Sequence, residues 1–384
     1  MKKIIVSSLL AFTCLLSSAF AFSWAGLVDN NTKISENHDF TKPVLNQSNG
    51  IYLSGYSNIG DAGNMRIAAE AMYKYSFNYD VKDDKAKLKN VADLDLFKFA
   101  GDWAVGPGIV SLSAGRFQYT DFSDAVFKQV SDGLYLSFNS STMKAAVYAG
   151  YTGLLNRLNV SMVDSESKDD DDFYALCPKY LPILADYSYK GLLGPNTIGL
   201  QGAFYAPLSD DYTMKAYGTF ILNGYIGTMG SYDARVTAGT EKPKGKDSFD
   251  GVMLDAKLDT SFYLNNVSMV NIGAEYVSGE QGDIKPFVTV SSRSFGGAPF
   301  YNGVIVPKAG IMYAAGKLYA NVTERVIISM PKDEAKLDGF DTTASVVYNI
   351  FSDLQLGCNL GAYICKETKE LSNYYATLKA SLAF

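Results

Sequence analysis

The sequence predicts an all-β fold, a transmembrane antiparallel up-and-down β-barrel of about 18 strands, within a range of roughly 16 to 20. Three stretches predict it: a long alternating segment at residues 65–81, an apolar leader at residues 1–21, and an alternating segment that ends on Phe384. The first predicts a wall strand that crosses a membrane, the second predicts export, and the third predicts that the wall continues to the last residue.

Residues 65–81 alternate between apolar and polar side chains with the period of two that is typical of a strand. Odd positions are apolar, whereas even positions include Arg66, Glu70 and Lys74. One apolar face and one face with charges of both signs indicate hydrocarbon outside and water inside. The aromatic side chains gather at one end, as at a membrane interface: Tyr73, Tyr75, Phe77 and Tyr79. A long edge strand of a soluble sandwich is the alternative, which the two chain ends disfavour.

The N-terminal stretch has the parts of a secretory signal peptide. Two lysines follow Met1, residues 4–16 are mostly apolar, and a small-residue cleavage site ends at Ala21. We therefore expect residues 1–21 to be a signal peptide and residues 22–384 to form one barrel domain with long extracellular loops. A lipoprotein signal at Cys14 is the alternative, which the apolar run beyond that cysteine disfavours.

Composition excludes two classes of protein. Removing the two leader lysines changes the formal net charge from −6 to −8, and an acidic chain is a poor partner for nucleic acid. No run beyond the leader approaches the roughly 18 apolar residues of a membrane helix. The 27 tyrosines, 22 phenylalanines and 34 glycines instead fit a barrel wall made of alternating segments.

Cysteine and histidine usage predicts neither a disulfide framework nor a cofactor. Three cysteines follow the leader, Cys177, Cys358 and Cys365, and an odd number cannot pair completely. A link between Cys177 and Cys365 stays open beside free thiols. No cluster has the spacing of a zinc site, and the four aspartates at 169–172 lack the pattern of a calcium loop, so no metal site is predicted. The only histidine, His38, lies in a polar segment, so a histidine-dependent hydrolase is not expected.

Short turns and long loops alternate between the predicted strands. Residues 60–64 form a tight turn and residues 80–87 a charged, mobile loop. In such barrels the short turns face the periplasm and the long loops face outward. Residues 284–306 are interpreted as one outer excursion, which leads to 18 strands. These are residues 22–33, 51–59, 65–81, 91–105, 109–119, 133–139, 143–152, 180–190, 197–206, 212–223, 230–238, 250–263, 267–277, 308–313, 317–328, 340–351, 353–365 and 373–384.

Function is expected to reside in the barrel interior, because side-chain parity lines it with charges of both signs. The predicted lumen-lining residues are Arg66, Glu70, Lys74, Arg116, Lys215, Asp255, Lys257 and Asp259. The direction of Arg116 stays open, because Gly115 could mark a bulge that reverses it. A water-filled lumen with such charges sorts small solutes by charge and size. A channel for apolar substrates is an alternative that these charges disfavour.

The last segment alternates without a break and ends on an aromatic residue: Tyr374, Ala376, Leu378, Ala380, Leu382 and Phe384. It resembles the C-terminal strand of bacterial outer-membrane proteins, whose final aromatic residue is recognised by the barrel-assembly machinery. Residues 114–122 also look like a porin wall strand that runs into a loop. Together with the leader and the alternating wall, these segments make the chain resemble the outer-membrane β-barrel class, and porins within it.

This resemblance implies a location in the cell outer membrane, contact with its lipid, and engagement of the assembly machinery by the C-terminal strand. It implies passive diffusion of small hydrophilic solutes and no enzyme activity, and it leaves a homotrimer open. The alternative is a surface-exposed adhesin or structural antigen, in which the loops at residues 169–172 and 240–247 would be the active parts.

Overall fold

The computed structural model describes residues 23–60, 63–160, 162–163, 174–192, 194–209, 212–243, 245–330, 335–366 and 369–384. The predicted signal peptide at residues 1–21 and the aspartates at 169–172 lie outside these residues.

Eighteen strands form one sheet, and two further short strands, β14 and β15, form a hairpin within a loop. In chain order they are β1 (Ser23–Asn37), β2 (Val44–Ile59), β3 (Met65–Asp80), β4 (Lys85–Val105), β5 (Gly108–Thr120), β6 (Lys128–Ser140), β7 (Met143–Tyr151), β8 (Tyr180–Lys190), β9 (Thr197–Pro207), β10 (Met214–Ile226), β11 (Gly230–Lys242), β12 (Asp250–Tyr263), β13 (Ser268–Val277), β14 (Ser294–Phe295), β15 (Ala298–Pro299), β16 (Val304–Ala315), β17 (Leu318–Ser329), β18 (Lys336–Asn349), β19 (Leu354–Cys365) and β20 (Asn373–Ala383). Within the described ranges, no helix is long and apolar enough to cross a membrane.

The sheet closes on itself. Each strand of the wall pairs antiparallel with its neighbours in the chain, and β1 pairs with both β2 and β20. At the seam, the Gly26 amide donates to the Phe384 carbonyl at 2.7 Å and the Phe384 amide donates to the Gly26 carbonyl at 2.9 Å. Closure removes the unpaired edges that a sheet would otherwise expose. The predicted closed, up-and-down barrel of 18 strands is confirmed.

The two faces of the wall differ in chemistry, as the alternation predicts. In β10, Phe220 is exposed on the outer face, whereas Lys215, Tyr217 and Thr219 are buried on the inner face. Residues opposite each other on paired strands share a face, so Val236 of β11 lies beside Phe220 on the outside. The outer surface is therefore largely apolar and the interior largely polar, which is the arrangement of a transmembrane barrel.

Connections at one end of the barrel are short, and the chain termini of the wall lie at that same end. The other end carries the two longest connections, residues 152–179 and 278–303, together with the connection of residues 121–127. Residues 278–303 are a single connection between neighbouring strands, so the prediction of one excursion in this region is confirmed.

Two predicted loops are wrong because the strands continue through them. β2 begins at Val44 rather than at residue 51, and β4 begins at Lys85 rather than at residue 91. Residues 46–49 are polar on both faces, so they lack the apolar alternation that marks a strand. In residues 85–90 Ala86 and Leu88 do alternate with lysines, but the high charge of the segment led to its interpretation as a loop. Cross-strand pairing still holds them, with Val44 opposite Asp80 and Asp80 opposite Lys85. Only residues 81–84 remain as a turn between β3 and β4.

The long connections fold into the barrel instead of standing above it. Val126 and Phe127 of one connection, and Phe287 and Val290 of another, are fully buried. The amides of Val290 and Ser291 both donate to the Val126 carbonyl at 2.9 Å. The buried side chains of these two connections pack against aromatic side chains of the inner wall: Tyr148, Tyr180, Tyr205 and Tyr217. Loops therefore fill the part of the interior that faces β7 to β13.

The three described cysteines are free thiols, so the structure contains no link between Cys177 and Cys365. Cys177 is buried in the connection of residues 152–179, and burial raises the pKa of its thiol to about 12. We expect a water-soluble maleimide to leave Cys177 unmodified in the folded protein at neutral pH, and to modify it after unfolding. Mass spectrometry of the labelled peptides measures this, and rapid labelling of Cys177 before unfolding would contradict the inward fold of its loop.

Candidate functional site: the barrel interior

Two of the predicted lumen residues lie beneath the inward loops. Asp255 is 5% exposed and accepts a hydrogen bond from Arg293 at 2.7 Å. Lys215 is 2% exposed, and its Nζ lies 3.2 Å from the Tyr180 hydroxyl. Both side chains are therefore occupied by protein partners and separated from open water.

Arg293 connects the inward loop of residues 278–303 to the wall. It donates to Asp255 of β12 and to Glu275 of β13, and the three side chains are largely buried. Its guanidinium also lies 4.6 Å from the ring centroid of Phe300. Sequence reasoning missed Arg293, because its segment carries no regular alternation that would indicate which way the side chain points.

A second group of predicted residues stays partly exposed. Asp259 lies 3.3 Å from the Lys257 amine and 2.7 Å from the Lys308 amine. Arg66 lies 3.3 Å from Asp102, and both of these side chains are well exposed. These pairs lie on the inner face, where mixed charges border accessible space.

Lys74 and Glu70 lie on the inner face of β3. The Lys74 amine donates to the Asn159 side chain at 3.1 Å, and the Asn159 amide in turn donates to Asp95 of β4 at 2.8 Å. The connection of residues 152–179 therefore reaches across the interior to this side of the wall. Glu70 is partly buried nearby.

Arg116 connects several elements. Gly115 before it has a φ of +113°, and an added Cβ would meet the Phe97 carbonyl, so the chain bends there as only glycine allows. Arg116 is 9% exposed and makes two bonds of 2.9 Å to Asp132 and one of 3.1 Å to Asp93. It also donates to the carbonyls of Leu94 and Leu154 at 3.1 and 3.0 Å. All five N–H donors of its guanidinium are used, and they join β4 and β6 to the loop of residues 152–179.

We expect Arg116→Gln to destabilise the barrel by about 3 to 5 kcal/mol, because the buried Asp93 and the partly buried Asp132 lose their cation. Arg66→Gln is the matched control. It removes an exposed pair and should cost at most about 1 kcal/mol. Urea titration of the refolded protein in detergent micelles measures both. Equal midpoints for Arg116→Gln and the unmodified protein would contradict the structural role of Arg116.

The interior also contains a cavity of about 380 Å³ beside β1 to β4, β19 and β20. Its charged lining residues all carry amines: Lys33, Lys87, Lys89 and Lys379, a set termed the lysine wall below. The remaining lining is mainly amide and hydroxyl side chains, and no carboxylate of the described residues borders it. The cavity is therefore a wet, positively charged part of the interior.

Sequence reasoning missed the lysine wall for two reasons. Lys87 lies in the charged segment that was interpreted as a loop, and Lys89 lies between that segment and the predicted start of the next strand. Lys379 lies on the polar face of the last strand, so parity alone could have identified it. The convergence of the set required the barrel, because β1, β4 and β20 are far apart in the chain.

A second cavity, of about 460 Å³, shares Lys33 with the first and is bordered by the β14–β15 hairpin. The hairpin turn docks on β18, where the Gly297 amide donates to Asp341 at 2.9 Å. Asp341 is also held by Arg325 at 2.8 Å. Gly296 has a φ of +64°, and a side chain at this position would meet both charged groups. The inward loop is thus anchored at Arg293 on one side and at Gly297 on the other, and open space remains beside the lysine wall.

A closed barrel with an apolar outer face, a charged interior and inward-folded loops has the architecture of porin-type channel proteins. No family model matches the sequence, and no curated protein matches it. Solved structures do match. OccK2 (OpdF) of Pseudomonas aeruginosa, in complex with glucuronate, has a TM-score of 0.65 and 13% identity over 94% of this chain and 98% of that one.

Two further structures agree in size and topology. Acinetobacter baumannii OccAB4 has a TM-score of 0.63 and 13% identity, and P. aeruginosa OpdK with vanillate has a TM-score of 0.60 and 11% identity. Each comparison covers 94% of this chain and 98% of the other. This chain therefore has the same fold as these barrels over nearly its whole length.

Proposed function

We propose that this protein is an outer-membrane channel through which small hydrophilic solutes diffuse passively. The observation that carries the proposal is the contrast between the two faces of the closed barrel, apolar outside and charged around cavities inside. A wall of this kind is stable only with lipid around it, and its interior offers water and fixed charges to a solute.

The proposed orientation follows from the connections. Residues 1–21 act as the signal peptide that brings the chain across the inner membrane, and the end with short turns and termini faces the periplasm. The inward-folding loops then belong to the extracellular end, where they narrow the passage that a solute meets first.

Within this channel the predicted lumen residues divide into two roles. Arg66, Glu70, Lys74, Lys257 and Asp259 border the water-filled space. Arg116 and Asp255 hold loops in place, and Lys215 contacts Tyr180 of the wall. This assignment is supported by the low exposure of the three side chains and by their hydrogen bonds. Solutes are sorted by the charges that remain accessible.

The lysine wall favours anions. Several amines on one side of a narrow wet passage lower the free energy of an anion there and raise that of a cation. Two of the structural relatives were solved with glucuronate and vanillate, which are both carboxylates. We therefore assign small organic anions as the preferred solutes of this channel as well.

Purified protein in a planar lipid bilayer should produce stepwise increases in current, and a KCl gradient should reveal preference for chloride over potassium. Protein denatured by heat in detergent is the control and should add no steps. A correctly folded barrel that remains electrically silent, and that fails to make liposomes permeable to small sugars, would contradict the proposal.

The C-terminal strand is the proposed contact with the barrel-assembly machinery. The Phe384 ring packs over Gly26, and both of its backbone groups pair with the first strand, so the residue lies at the seam that closes the barrel. Phe384→Ala should reduce the amount of folded barrel in the outer membrane, whereas Phe384→Tyr should preserve it. Full assembly of Phe384→Ala would contradict this role. We further propose that assembled barrels form a homotrimer, in which neighbouring copies cover part of the apolar outer wall.

A further inference from the structure

A lysine of the wall and an asparagine of an inward loop meet inside the barrel, next to carboxylates. Lys74 of β3 donates to Oδ1 of Asn159 at 3.1 Å, across 85 residues of chain. Nδ2 of Asn159 donates to Asp95 at 2.8 Å and to Asp93 at 3.2 Å. The carboxamide is therefore held with an amine at its oxygen and two carboxylates at its nitrogen. In this arrangement an amine can displace ammonia from the amide.

Local structure positions the wall side of this site. Lys74 and Glu70 are four residues apart on β3, so both lie on its inner face. β4 shifts register opposite Glu70 and Ala71, and Asp95 is the extra residue at that bulge. A bulge changes the direction of a side chain. Here the Asp95 carboxylate points into the interior and accepts from Asn159.

The loop side of the site is also positioned by the backbone. Leu155 and Asn156 at the base of the loop are fully buried. The amides of Asn159 and Val160 donate to the Asn156 carbonyl at 2.9 and 3.2 Å, which makes a tight turn. This turn holds the Asn159 side chain against the wall. Positioning two reacting groups in advance removes much of the entropic cost of bringing them together.

The amine and the amide carbon are close to the distance at which they would react. Cγ of Asn159 is one C=O bond, about 1.2 Å, from the oxygen that accepts from Lys74. A movement of about 1 Å therefore brings the Lys74 nitrogen to an attack distance of about 3 to 3.5 Å. Met72 and Val91 flank Lys74 on the inner face and are buried. These apolar side chains shield the amine from part of the surrounding water.

The charges around the pair can carry the protons that the reaction moves. Asp93 is already paired with Arg116 at 3.1 Å. Asp95 and Glu70 are close enough to repel each other electrostatically, and Glu70 also attracts the Lys74 amine. Two carboxylates that share one site take up a proton more easily than an isolated one. Glu70 can therefore accept a proton from Lys74, and Asp95 can carry a proton at the leaving nitrogen.

We propose that Lys74 and Asn159 form an intramolecular amide bond, an isopeptide, that ties the loop of residues 152–179 to β3. The Lys74 ammonium gives one proton to Glu70, and its nitrogen lone pair then attacks Cγ of Asn159. Asp95 takes a second proton from the attacking nitrogen and gives it to Nδ2 as the Cγ–Nδ2 bond breaks. The ammonia that leaves takes the proton from Glu70 and departs as ammonium. The new amide keeps one hydrogen on Nζ, and the step needs no oxidant or other reactant.

This inference goes beyond solute passage and does not depend on conduction. The bond would remove the positive charge of Lys74 from the interior. It would also keep the loop of residues 152–179 inside the barrel covalently, in addition to the hydrogen bonds that Arg116 makes to the Leu154 carbonyl and to the wall.

Peptide mapping of the mature protein, purified from outer membranes, tests the bond directly. Trypsin does not cut after an acylated lysine, so residues 67–82 should stay joined and should carry residues 158–168 as a branch. The branched peptide should be lighter than its two parts together by the mass of one ammonia. The intact protein should show the same loss. Folded protein that yields only the separate peptide ending at Lys74 would overturn the proposal.

Variants test which groups form the bond. Lys74→Arg keeps the charge but has no amine nucleophile, and Asn159→Ala removes the carbon under attack, so both should have the full mass of their sequences. Lys379→Arg, at another inward lysine, is the matched control and should keep the loss of ammonia. Asp95→Asn should slow bond formation about 100-fold or more after refolding in detergent micelles, because the leaving nitrogen loses its proton carrier.

Folding of each variant is checked by the resistance of the unheated barrel to SDS, so that a missing bond is not confused with a missing fold. Unmodified protein kept unfolded in urea should form no bond, because the site exists only in the folded barrel. Loss of ammonia in folded Lys74→Arg, or bond formation in Asp95→Asn as fast as in the unmodified protein, would overturn the proposed chemistry.

Discussion

Replacing Lys33, Lys87 and Lys379 with glutamate is expected to reverse the ion preference of the channel. These amines border one cavity that no described carboxylate lines, so the change converts a positive wall into a negative one. At low salt the Debye length is about 10 to 30 Å, which exceeds the reach across such a cavity, and the full wall acts on each ion. We expect the chloride-to-potassium permeability ratio to fall about tenfold or more, equivalent to roughly 1.4 kcal/mol.

Reversal potentials in a KCl gradient measure this change. A matched control replaces Lys82, Lys190 and Lys366 with glutamate, because these lysines are exposed in a turn or at a strand end, outside the cavity. The control has the same change in net charge and should shift the ratio much less. At 1 M salt, where the Debye length is about 3 Å, the difference between the two variants should shrink. A triple variant that keeps its anion preference at low salt would show that ions follow another path.

Breaking the Arg293 anchor is expected to increase the conductance of a single channel. Arg293 joins the loop of residues 278–303 to Asp255 and Glu275, and that loop fills much of the interior on its side. The wall closes through backbone pairing that does not involve the loop, so the barrel should persist when the anchor is lost. In Arg293→Gln we expect about a twofold rise in conductance together with noisier open levels, because the loop leaves its wall position more often.

A second variant distinguishes the effect of the lost charge on conductance from the effect of the displaced loop. Arg293→Gln removes a positive charge and Glu275→Gln removes a negative one, yet both weaken the same anchor. Conductance should rise in both variants, whereas ion preference should move in opposite directions. Arg66→Gln, at an exposed pair, is the control and should leave conductance nearly unchanged. Unaltered conductance in both anchor variants would contradict the role of this loop as the constriction.

Much of the barrel was predictable because alternation is a local property of a strand. Successive side chains in a pleated strand point to opposite faces, so β3 and β10 were recognisable within one segment each. The predictions failed where the apolar face is short or absent. Residues 46–49 are polar on both faces, and residues 85–90 have only Ala86 and Leu88 between lysines, so pairing with β3 identifies both segments as strands.

The candidate site was less predictable. Parity suggested that Lys215 and Asp255 face inward, but it could not indicate that loops cover them. From the sequence, the direction of Arg116 stayed open because Gly115 could mark a bulge. In the structure, Arg116 forms ion pairs with Asp93 and Asp132. Contacts of this kind join residues that are distant in the chain.

By itself, the sequence determined the class of fold, the number of strands, and which residues of each regular strand share a face, because these depend on neighbours one and two positions away. Only the tertiary structure decided which charges are accessible. Closing the wall brings Lys33, Lys87 and Lys379 together, and folding the loops inward neutralises Asp255 with Arg293. Those encounters depend on strand order, register and loop packing, which link segments hundreds of residues apart.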